Sequence, residues 1–445
     1  MIYSGKHAVV LGLGHSGQAA ALLLQEEGAL VTVCETLEND ETRAKAGSLH
    51  VRGIHVLLGS AADSDPSRYD VAVLSPGIDP EVPLVRNVVA KQIPIIGELE
   101  LAFRECSCPV AAITGTNGKT TTTELTTTML QNVGVRTMAS GNIGLPFATA
   151  VRQSHELDVM VLEVSSFQLE SIRTFRPQVA AWLNLSANHL DRYPGMAEYR
   201  AAKLRIFENQ TSDDVAVVNA VNDLPEIAAQ KVTFSAVRDD ADFSLRGTII
   251  CHHGLPVIDQ ADTSLPGIHN AENLMAALGI GHALHVDLDQ LAAAIGSYTP
   301  PSHRCEFVRD LDGVRWINDS KATNLDAVEK ALRSQDRRVV LIAGGKDKGF
   351  EFDAIAPLVR ERVRAAVLIG EMRERIAKSW SGTDCSLCGT LDEAVSVARA
   401  LATAGDVVLL SPGTSSFDMF RNYGERGNVF KSAVQNLSSK KPKTT

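Results

Sequence analysis

The sequence predicts an α/β protein of three domains, in which mostly parallel sheets alternate with helices. Short apolar runs recur along the 445 residues, and most of them end in a Gly-, Ser- or Asn-rich loop before a helical stretch. The length exceeds that of one ordinary core, since domains average roughly 150 residues. We expect an N-terminal Rossmann-like domain at 1–97, a central P-loop-type, ATPase-like domain with a mostly parallel sheet at 98–301, and a C-terminal Rossmann-like domain at 302–445.

Composition narrows the classes of partner and the location. A net charge of −10 disfavours non-specific nucleic-acid binding, so any phosphate must be held by local sites. No apolar run reaches the ~18 residues of a membrane span, and the N-terminus lacks a secretory pattern. We therefore expect a cytoplasmic protein, and a monomer, without a membrane span or a nucleic-acid partner.

The cysteines predict reduced thiols. Their number, seven, is odd and their positions are scattered, which disfavours a disulfide framework. The pairs Cys106/Cys108 and Cys385/Cys388 could share a zinc ion, but neither pair lies among other plausible ligands in the sequence.

A glycine-rich loop follows the first predicted strand. His7 to Leu11 is apolar, Gly12-Leu-Gly-His-Ser-Gly17 follows, and a second strand from Leu30 to Cys34 ends at Glu35. This is the Rossmann fingerprint, with an acidic residue about 20 positions on to accept hydroxyl groups. The fingerprint indicates NAD binding, but the same geometry can hold any nucleotide diphosphate, including a UDP-sugar.

The central domain begins with an incomplete phosphate loop. An apolar run from Val110 to Ile113 ends in Thr114-Gly-Thr-Asn-Gly-Lys-Thr-Thr121, although the full P-loop pattern has glycine where Ile113 stands. Backbone amides at a helix N-terminus attract phosphate, Lys119 supplies a cation, and Thr120 offers a hydroxyl to Mg²⁺. The alternative is a plain strand–helix turn.

Two later strands end in residues that ligate metals. Glu163 closes the run from Asp158, and His189 follows the run from Val179 to Leu185. Ligands gather at the carboxyl ends of parallel strands, so both side chains could face the metal at the phosphate loop. The alternatives are a solvent-exposed carboxylate and a structural histidine.

Lys203 falls on the apolar face of a predicted helix. In the stretch from Met196 to Glu208, Tyr199, Ile206 and Phe207 recur with Lys203 at helical spacing. The side chain could snorkel to solvent, or burial could lower the pKa of its amine and make it reactive.

The remaining motifs lie further along the chain. His269 to Asn273 opens an Ala-rich helix whose amides could read a base or cap the helix, and Pro300-Pro301 marks a boundary. Strands are predicted at Arg338 to Ala343, Ala365 to Ile369 and Asp406 to Leu410. They repeat the α/β rhythm of the first domain.

Together these motifs resemble the Mur ligases, the ATP-dependent amide-forming enzymes of peptidoglycan synthesis. The resemblance covers nearly the whole chain in order, and its last two segments resemble the members that add D-glutamate. It rests on Gly12–Gly17, Thr114–Thr121, Ser140–Gly144, Glu163–Glu170, Asn188–Pro194, Tyr199–Ile206, Asn318–Asn324, Ser411–Asp418 and Arg426–Phe430.

The resemblance implies an activity and its substrates. ATP and Mg²⁺, two ions in the family, would activate the carboxylate of UDP-N-acetylmuramoyl-L-alanine as an acyl phosphate, which the amine of D-glutamate attacks. It implies catalytic roles for Lys119, His189 and Lys203. Lys203 would take up CO₂ as a carbamate.

The resemblance also implies the binding residues. For ATP they are Gly115, Thr116, Asn117, Gly118, Lys119, Thr120, Thr121, Asn270, Asn273, Arg304, Asp319 and Lys321. For the UDP-sugar they are Ser16, Glu35, Thr36 and Asn142. For D-glutamate they are Thr323, Lys348, Ser416 and Tyr423. For metal they are Thr120, Glu163, His189 and carbamylated Lys203.

The chain departs from the family pattern in places, and rival functions remain. Leu37 stands where some relatives have an arginine, and Tyr423 stands where a phenylalanine is also seen. The alternatives are another Mur ligase, a folylpolyglutamate-type ligase, an NAD-dependent dehydrogenase that uses Gly12 to Gly17, and a non-catalytic nucleotide-binding regulator.

Overall fold

The computed structural model describes residues 2–65, 67–79, 81–188, 192–296, 298, 302–335 and 337–439. The chain forms two compact units. The first comprises residues up to 185, 197–263 and 271–298, and the second comprises 186–196, 264–270 and the chain from 299. His189 and the Pro300-Pro301 boundary lie outside the described residues.

The N-terminal part of the first unit is a five-stranded parallel sheet. Its strands are β1 (His7–Leu11), β2 (Leu30–Glu35), β3 (His55–Leu58), β4 (Val71–Leu74) and β5 (Ile95–Gly97). Its helices are α1 (His15–Glu26), α2 (Asp40–His50), α3 (Ser60–Asp63), α4 (Pro83–Ala90) and α5 (Glu98–Glu105). The strand order β3-β2-β1-β4-β5 reverses direction at β1. The glycine-rich loop therefore lies at the switch point, where ligands of such sheets bind.

The rest of the first unit is built on a nine-stranded sheet of order β14-β13-β12-β11-β10-β9-β6-β8-β7. The strands are β6 (Val110–Thr114), β7 (Thr137–Gly141), β8 (Val159–Glu163), β9 (Val179–Trp182), β10 (Val215–Asn219), β11 (Gln230–Ser235), β12 (Phe243–Arg246), β13 (Ile249–His252) and β14 (Leu255–Asp259). Pairing is parallel from β7 to β12 and antiparallel for the last two pairs.

The register of this sheet aligns the strand ends that hold the candidate residues. Glu163 pairs with Ile113 on one side and with Gly141 on the other. The central strands are buried on both faces, as expected for parallel strands covered by helices. The helices are α6 (Lys119–Asn132), α7 (Phe147–Ala150), α8 (Ser166–Leu169), α9 (Met196–Leu204), α10 (Ile268–Ala283) and α11 (Leu288–Ile295), with 3-10 turns at Val151–Glu156, Arg205–Phe207 and Gln260–Asp262.

The second unit contains a six-stranded sheet of order β15-β16-β20-β17-β18-β19, in which only the β15–β16 pair is antiparallel. Its strands are β15 (Glu306–Leu311), β16 (Val314–Asn318), β17 (Val339–Gly344), β18 (Val363–Ile369), β19 (Cys385–Leu387) and β20 (Val407–Leu410). Its helices are α12 (Leu325–Arg333), α13 (Ala356–Arg362), α14 (Arg373–Ser379), α15 (Leu391–Leu401) and α16 (Tyr423–Gln435), with a 3-10 turn at Phe352–Ile355. Leu410 pairs with both Asn318 and Ile342, so the loops after β16 and β20 leave one edge of the sheet.

The predicted fold class is confirmed: an α/β chain with three mostly parallel sheets. One feature goes beyond the predicted mostly parallel sheets: the β12–β14 region extends the central sheet by an antiparallel edge. No helix in the described ranges has the length and apolar character needed to cross a bilayer.

Candidate active site

The loop between β6 and α6 has the backbone of a phosphate cradle. Gly118 is left-handed (φ +86°), and a Cβ there would lie 2.4 Å from Asn273 Oδ1, so only glycine fits. Asn184, just beyond β9, holds the loop through hydrogen bonds to both backbone groups of Asn117. Its Oδ1 accepts from Asn117 N at 2.9 Å, and its Nδ2 donates to Asn117 O at 3.0 Å.

Positive charge is concentrated at this loop. Lys119 begins the 14-residue helix α6, whose dipole favours an anion at its N-terminus. Its Nζ donates to Gly115 O at 2.9 Å and to Thr116 O at 3.0 Å. The plain strand–helix turn of the sequence analysis does not account for two lysines at one loop, since Lys203 Nζ also donates to Gly115 O at 2.9 Å.

Glu163 lies at the adjacent strand end and is 3% exposed. Its Oε2 accepts from Thr120 Oγ1 at 2.7 Å, and its Oε1 accepts from Asn142 Nδ2 at 2.8 Å. The alternative of a solvent-exposed carboxylate is therefore wrong. A carboxylate and a hydroxyl in contact beside a phosphate cradle are the oxygen donors that Mg²⁺ prefers, so these residues fit that ion.

Lys203 is fully buried, as are Tyr199, Ile206 and Phe207 on the same face of the helical stretch. The snorkelling alternative is therefore wrong. Burial, followed by the nearby charge of Lys119, holds the pKa of the Lys203 amine well below its usual value, and Glu163 offsets this in part. The Tyr199 ring lies 4.8 Å from Nζ. CO₂ reacts with the unprotonated amine, and a lowered pKa favours that form, so the residue fits a carbamate.

The other residues assigned to ATP in the first unit lie near the loop or in it. Thr116 Oγ1 is 3.3 Å from the Tyr199 hydroxyl, and Asn273 Oδ1 accepts from Thr122 Oγ1 at 3.3 Å. The side chain of Thr121 is fully buried. His189 lies outside the described residues, so its role stays a prediction.

The N-terminal glycine loop is braced by Glu35. Its Oε2 accepts from Leu13 N at 2.9 Å, and its Oε1 accepts from Leu37 N at 3.0 Å. Ser16 lies in the first turn of α1 and is partly exposed, whereas Thr36 is exposed beside Glu35. The acidic residue expected to accept ligand hydroxyls thus also holds the loop that would face the diphosphate.

In the second unit, Arg426 joins the loops that follow β16 and β20. The side chain is 1% exposed, and its Nε donates to Ser320 Oγ at 3.0 Å while its Nη2 donates to Ser320 O at 2.8 Å. Its other guanidinium hydrogen bonds reach Thr414 O at 3.3 Å and Ser415 O at 3.4 Å. Burial lowers the pKa of Arg426 to about 10, so the guanidinium stays charged at neutral pH.

These two loops hold two of the four residues assigned to D-glutamate, and a third begins the helix that follows. Thr323 follows Ser320 in one loop, and Ser416, which is 3% exposed, ends the other. Tyr423 begins α16, its carbonyl accepts from Ser320 Oγ at 2.8 Å, and Lys321 Nζ lies 5.7 Å from its ring. Lys348 lies beyond β17 and is partly exposed. The structure therefore brings Lys321, Ser416 and Tyr423 to one group of loops.

Asp319 is buried at the end of β16. Its Oδ2 accepts from Ser411 Oγ at 2.9 Å, and its Oδ1 accepts from Cys305 N at 3.1 Å. Burial raises the pKa of its carboxyl to about 6. Asp319 thus retains its charge near neutral pH while fixing the start of β15 to the end of β20.

A cavity of about 600 Å³ in the second unit is lined by Asn270 and Arg304, together with Cys305, Phe307 and Ile317. Two residues assigned to the nucleotide from separate motifs therefore meet in one cavity. Burial lowers the pKa of neighbouring His269 to about 4, and the charges of Lys330 and Arg304 act in the same direction. The cavity wall is thus neutral at His269.

The sequence analysis assigned no individual function to three residues of these sites and noted them only as parts of longer segments. Asn184 was placed inside an apolar run, Arg426 was noted only as part of a segment, and Tyr199 only as part of a helix face. Each contacts residues far from it in sequence. An asparagine at the end of an apolar run was the one available signal for Asn184.

Comparison with known proteins shows the family of the chain. Three family models match consecutive parts of the chain: a MurD-like N-terminal domain at residues 6–97, the Mur ligase middle domain at 113–281 and the glutamate ligase domain at 303–413. The UDP-N-acetylmuramoylalanine–D-glutamate ligase of Syntrophotalea carbinolica is 42% identical over 98% of each chain. The protein of the same name from Geobacter metallireducens is 42% identical over 99% of each chain.

The chain belongs to the Mur ligase family.

Solved structures of other Mur ligases share its fold. The UDP-N-acetylmuramate–alanine ligase of Thermotoga maritima aligns over 97% of this chain and 99% of its own with a TM-score of 0.62 and 18% identity. The MurF ligase of the same organism, solved with ADP, aligns over 98% and 96% with a TM-score of 0.62 and 14% identity. At these identities the likeness concerns the fold, and it extends over the whole of this Mur ligase.

Proposed function

We propose that this chain is the ATP-dependent ligase that joins D-glutamate to UDP-N-acetylmuramoyl-L-alanine in the synthesis of peptidoglycan precursors. The observation behind this choice among Mur ligases is full-length similarity, at 42% identity, to two proteins named for that reaction. The match of residues 6–97 to the model of a MurD-like N-terminal domain supports the same choice. The alternative function, an NAD-dependent dehydrogenase that uses the loop from Gly12 to Gly17, has no comparable support.

The reaction needs the carboxylate of the alanine residue to become an electrophile. The carboxylate oxygen attacks the γ-phosphorus of ATP, and ADP leaves with the electron pair of the broken P–O bond. The amine of D-glutamate then attacks the acyl phosphate carbon and loses a proton. The tetrahedral adduct expels inorganic phosphate and leaves an amide.

The residues at the phosphate loop suit the first step. The amides at the N-terminus of α6 and the ammonium group of Lys119 would bind the phosphates of ATP, in the manner general for phosphoryl transfer. Thr120 and Glu163 would hold Mg²⁺, which when bound supplies positive charge to the phosphate oxygens. Asn142 would fix the orientation of Glu163 and contact the muramoyl group.

Lys203 would act as a carbamate. Burial and the charge of Lys119 lower the pKa of its amine, which favours the unprotonated form, and Nζ lies at the Gly115 carbonyl. A carbamate would give an anionic oxygen ligand for a second Mg²⁺, with His189 as the proposed partner. The low pKa supports CO₂ uptake, since only the unprotonated amine reacts.

The other assignments follow the three segments of the chain. Residues 1–97 would bind the UDP-sugar through Ser16, Glu35 and Thr36. Residues 98–301 would bind ATP, and 302–445 would bind D-glutamate through a lysine and hydroxyls suited to two carboxylates. The residues proposed to bind D-glutamate are Thr323, Lys348, Ser416 and Tyr423. Further residues proposed to lie near the nucleotide are Arg304, Asp319, Lys321, Asn270 and Asn273. We propose a monomer that acts in the cytoplasm, where nucleotide sugars and ATP are supplied.

The test is phosphate release from ATP with UDP-N-acetylmuramoyl-L-alanine and a panel of amino acids. We expect turnover that requires D-glutamate and Mg²⁺ together, with a product mass equal to the sum of the two substrates minus water. Equal or faster turnover with L-alanine, a diamino acid or a folate substrate would reject the assignment. NAD reduction without ATP consumption would place the chain in another class.

A pair of variants separates the site from the fold in this assay. Glu163→Gln should lose turnover by two orders of magnitude or more, because it removes a charge proposed to hold Mg²⁺. Glu198→Gln changes an exposed carboxylate on α9 and should retain the parent rate. Equal rates for the two variants would remove Glu163 from the proposed site.

A further inference from the structure

The turn between α5 and β6 contains two cysteines whose thiols touch. Cys106 caps the C-terminus of α5, and Cys108 lies just before β6. Their Sγ atoms are 3.9 Å apart, and Cys106 Sγ is 3.3 Å from Cys108 O. Ser107, between them, is held by Ser154 Oγ, which accepts from Ser107 N at 3.2 Å and lies 3.0 Å from Ser107 Oγ. The two thiols are therefore held beside each other by a fixed turn.

The distance between the sulfurs is short enough for a bond to form by side-chain rotation. A disulfide needs the sulfurs at about 2.05 Å, so the change required is about 2 Å, which rotation about χ1 can supply. Both side chains are partly exposed, so a small molecule can approach the pair. Neither the ATP, the UDP-sugar nor the D-glutamate assignment uses either thiol.

The two thiols differ in acidity in the way that thiol–disulfide exchange exploits. The hydrogen bond from Cys108 stabilises the Cys106 thiolate and lowers the pKa of Cys106 to about 7. The same interaction and burial raise the pKa of Cys108 well above its usual value. Cys106 is thus the attacking thiol near neutral pH, and Cys108 is the thiol that resolves a mixed disulfide.

The other closely spaced pair in the sequence, Cys385 and Cys388, lies on extended chain that keeps the two thiols apart. Cys385 begins β19 and Cys388 follows its end, and three residues of extended chain separate Cα atoms by about 10 Å, beyond the reach of a disulfide. The two side chains also pack against different hydrophobic clusters. Burial raises the pKa of both thiols. This pair should stay reduced.

We propose that Cys106 and Cys108 form a site of reversible oxidation by small-molecule disulfides. The Cys106 thiolate attacks one sulfur of the disulfide, so that a protein–S–S–R bond forms and one thiolate, RS⁻, leaves. Cys108 loses its proton to solvent and attacks Cys106 Sγ, which expels the second RS⁻. The protein loses two protons and two electrons, and the small-molecule disulfide gains them as two thiols.

The experiment treats the full, reduced chain with oxidised glutathione at neutral pH and then alkylates the remaining thiols before peptide mapping. We expect a Cys106–Cys108 disulfide without retained glutathione, full reversal by a dithiol reductant, and alkylated Cys385 and Cys388. Complete alkylation of Cys106 and Cys108 after treatment with excess disulfide would overturn the proposal. So would preferential modification of Cys385 or Cys388.

Single serine variants test the order of attack. Cys108→Ser should trap glutathione on Cys106, because the resolving thiol is absent. Cys106→Ser should react at Cys108 at least tenfold more slowly, because its thiol is protonated near neutral pH. Glutathione trapped faster on Cys108 than on Cys106 would contradict the assignment of roles. Ligase activity is not part of this test, so its outcome is independent of the proposed function.

Discussion

Lys203 and Arg426 are both basic side chains with 1% of their surface exposed, one in each compact unit, and their surroundings differ. The described residues give Arg426 four hydrogen-bond acceptors, whereas they give Lys203 Nζ one, the carbonyl of Gly115. The Arg426 guanidinium keeps its charge, because its pKa falls only to about 10. Burial and the charge of Lys119 hold the pKa of Lys203 well below its usual value.

The difference separates a structural cation from a reactive amine. A guanidinium spreads its charge over five N–H donors and cannot be deprotonated near neutral pH, so burial is tolerated only where acceptors surround it. An ammonium group can give up its proton instead, and burial then yields a nucleophile. Arg426 therefore holds two loops together, and the catalytic role of Lys203 stays a prediction that the following variants test.

The largest effect that tests this comparison is on catalysis by Lys203→Ala. We expect kcat to fall by about 10²–10³-fold, the range typical for losing a preorganised electrostatic group. Short carboxylates such as formate should restore part of the rate. The matched control is Lys231→Ala, which removes an exposed lysine from the same unit and should keep the parent rate.

The carbamate on Lys203 can be tested separately, by the dependence of wild-type activity on CO₂. Wild-type protein prepared and assayed without CO₂ should lose activity and regain it when bicarbonate is added. An undiminished rate in CO₂-free buffer would show that Lys203 acts as a plain amine, and the comparison with Arg426 would then rest on pKa alone.

The next effect concerns the stability of the second unit. Arg426→Met leaves the carbonyls of Ser320 and Thr414 without the donor that Arg426 supplies, and we expect a loss of about 4 kcal/mol in the free energy of unfolding. The KM for D-glutamate should rise, because the two loops lose the hydrogen bonds that Arg426 makes to both of them. Urea denaturation followed by initial-rate kinetics measures both.

Arg421→Met is the control for that variant. Arg421 lies nearby in sequence but is exposed, and its ion pair with Glu425 is at the surface. Surface pairs contribute at most about 1 kcal/mol, so its removal should change little. If both variants lost equal stability, burial of Arg426 would not explain the effect.

Glu98 extends the comparison to a buried acid. Its Oε1 accepts from Ala148 N at 2.6 Å, and burial raises the pKa of its carboxyl to about 7. Below about pH 4.5 the carboxyl is neutral in both the folded and unfolded chain, so it costs nothing there. As the pH rises to about 7, the Glu98 carboxyl ionises first in the unfolded chain. The free energy of unfolding therefore falls by up to about 3 kcal/mol.

Glu98→Gln should remove that loss, since the amide oxygen can still accept from Ala148 N. We expect the melting temperature of the variant to exceed that of the wild type at pH 8, and the two to converge near pH 4.5. A constant difference across this range would mean that Glu98 is ionised throughout in the folded protein.

The smallest effect is on the stability of the first unit. Lys203→Met replaces a buried amine by an apolar chain of similar length, which removes a desolvation cost. We expect the free energy of unfolding to rise by about 1 kcal/mol while activity is lost, a common trade at functional sites. A stability loss comparable to that of Arg426→Met would mean that Lys203, like Arg426, stabilises the fold.

Much of the site was predictable from local sequence. Val110 to Thr121 reads as strand, loop and helix because apolar β-prone residues give way to glycines and then to a helix-compatible run, and the structure has β6 and α6 there. Glu163 was placed at a strand end, and the register of β6, β7 and β8 puts it at the phosphate loop. Its contacts with Thr120 and Asn142 depend on that register.

Other features depend on residues distant in sequence. Asn184 reaches Asn117, and Arg426 reaches Ser320, through hydrogen bonds that no local pattern encodes. The cysteine pairs show the same limit. The spacing of Cys385 and Cys388 is the more familiar redox pattern, yet their strand separates them, whereas a turn brings Cys106 and Cys108 together.

By itself the sequence determined the α/β class, the positions of the main strands along the chain and the position of the phosphate loop, because periodicity and glycine placement are local properties of the chain. The helical spacing also placed Lys203 on an apolar face. Only the tertiary structure decided that this face is buried beside Gly115 and Lys119, and that Glu163 meets Thr120. Burial and the proximity of charges set a pKa, and both arise from contacts between segments that lie far apart in the chain.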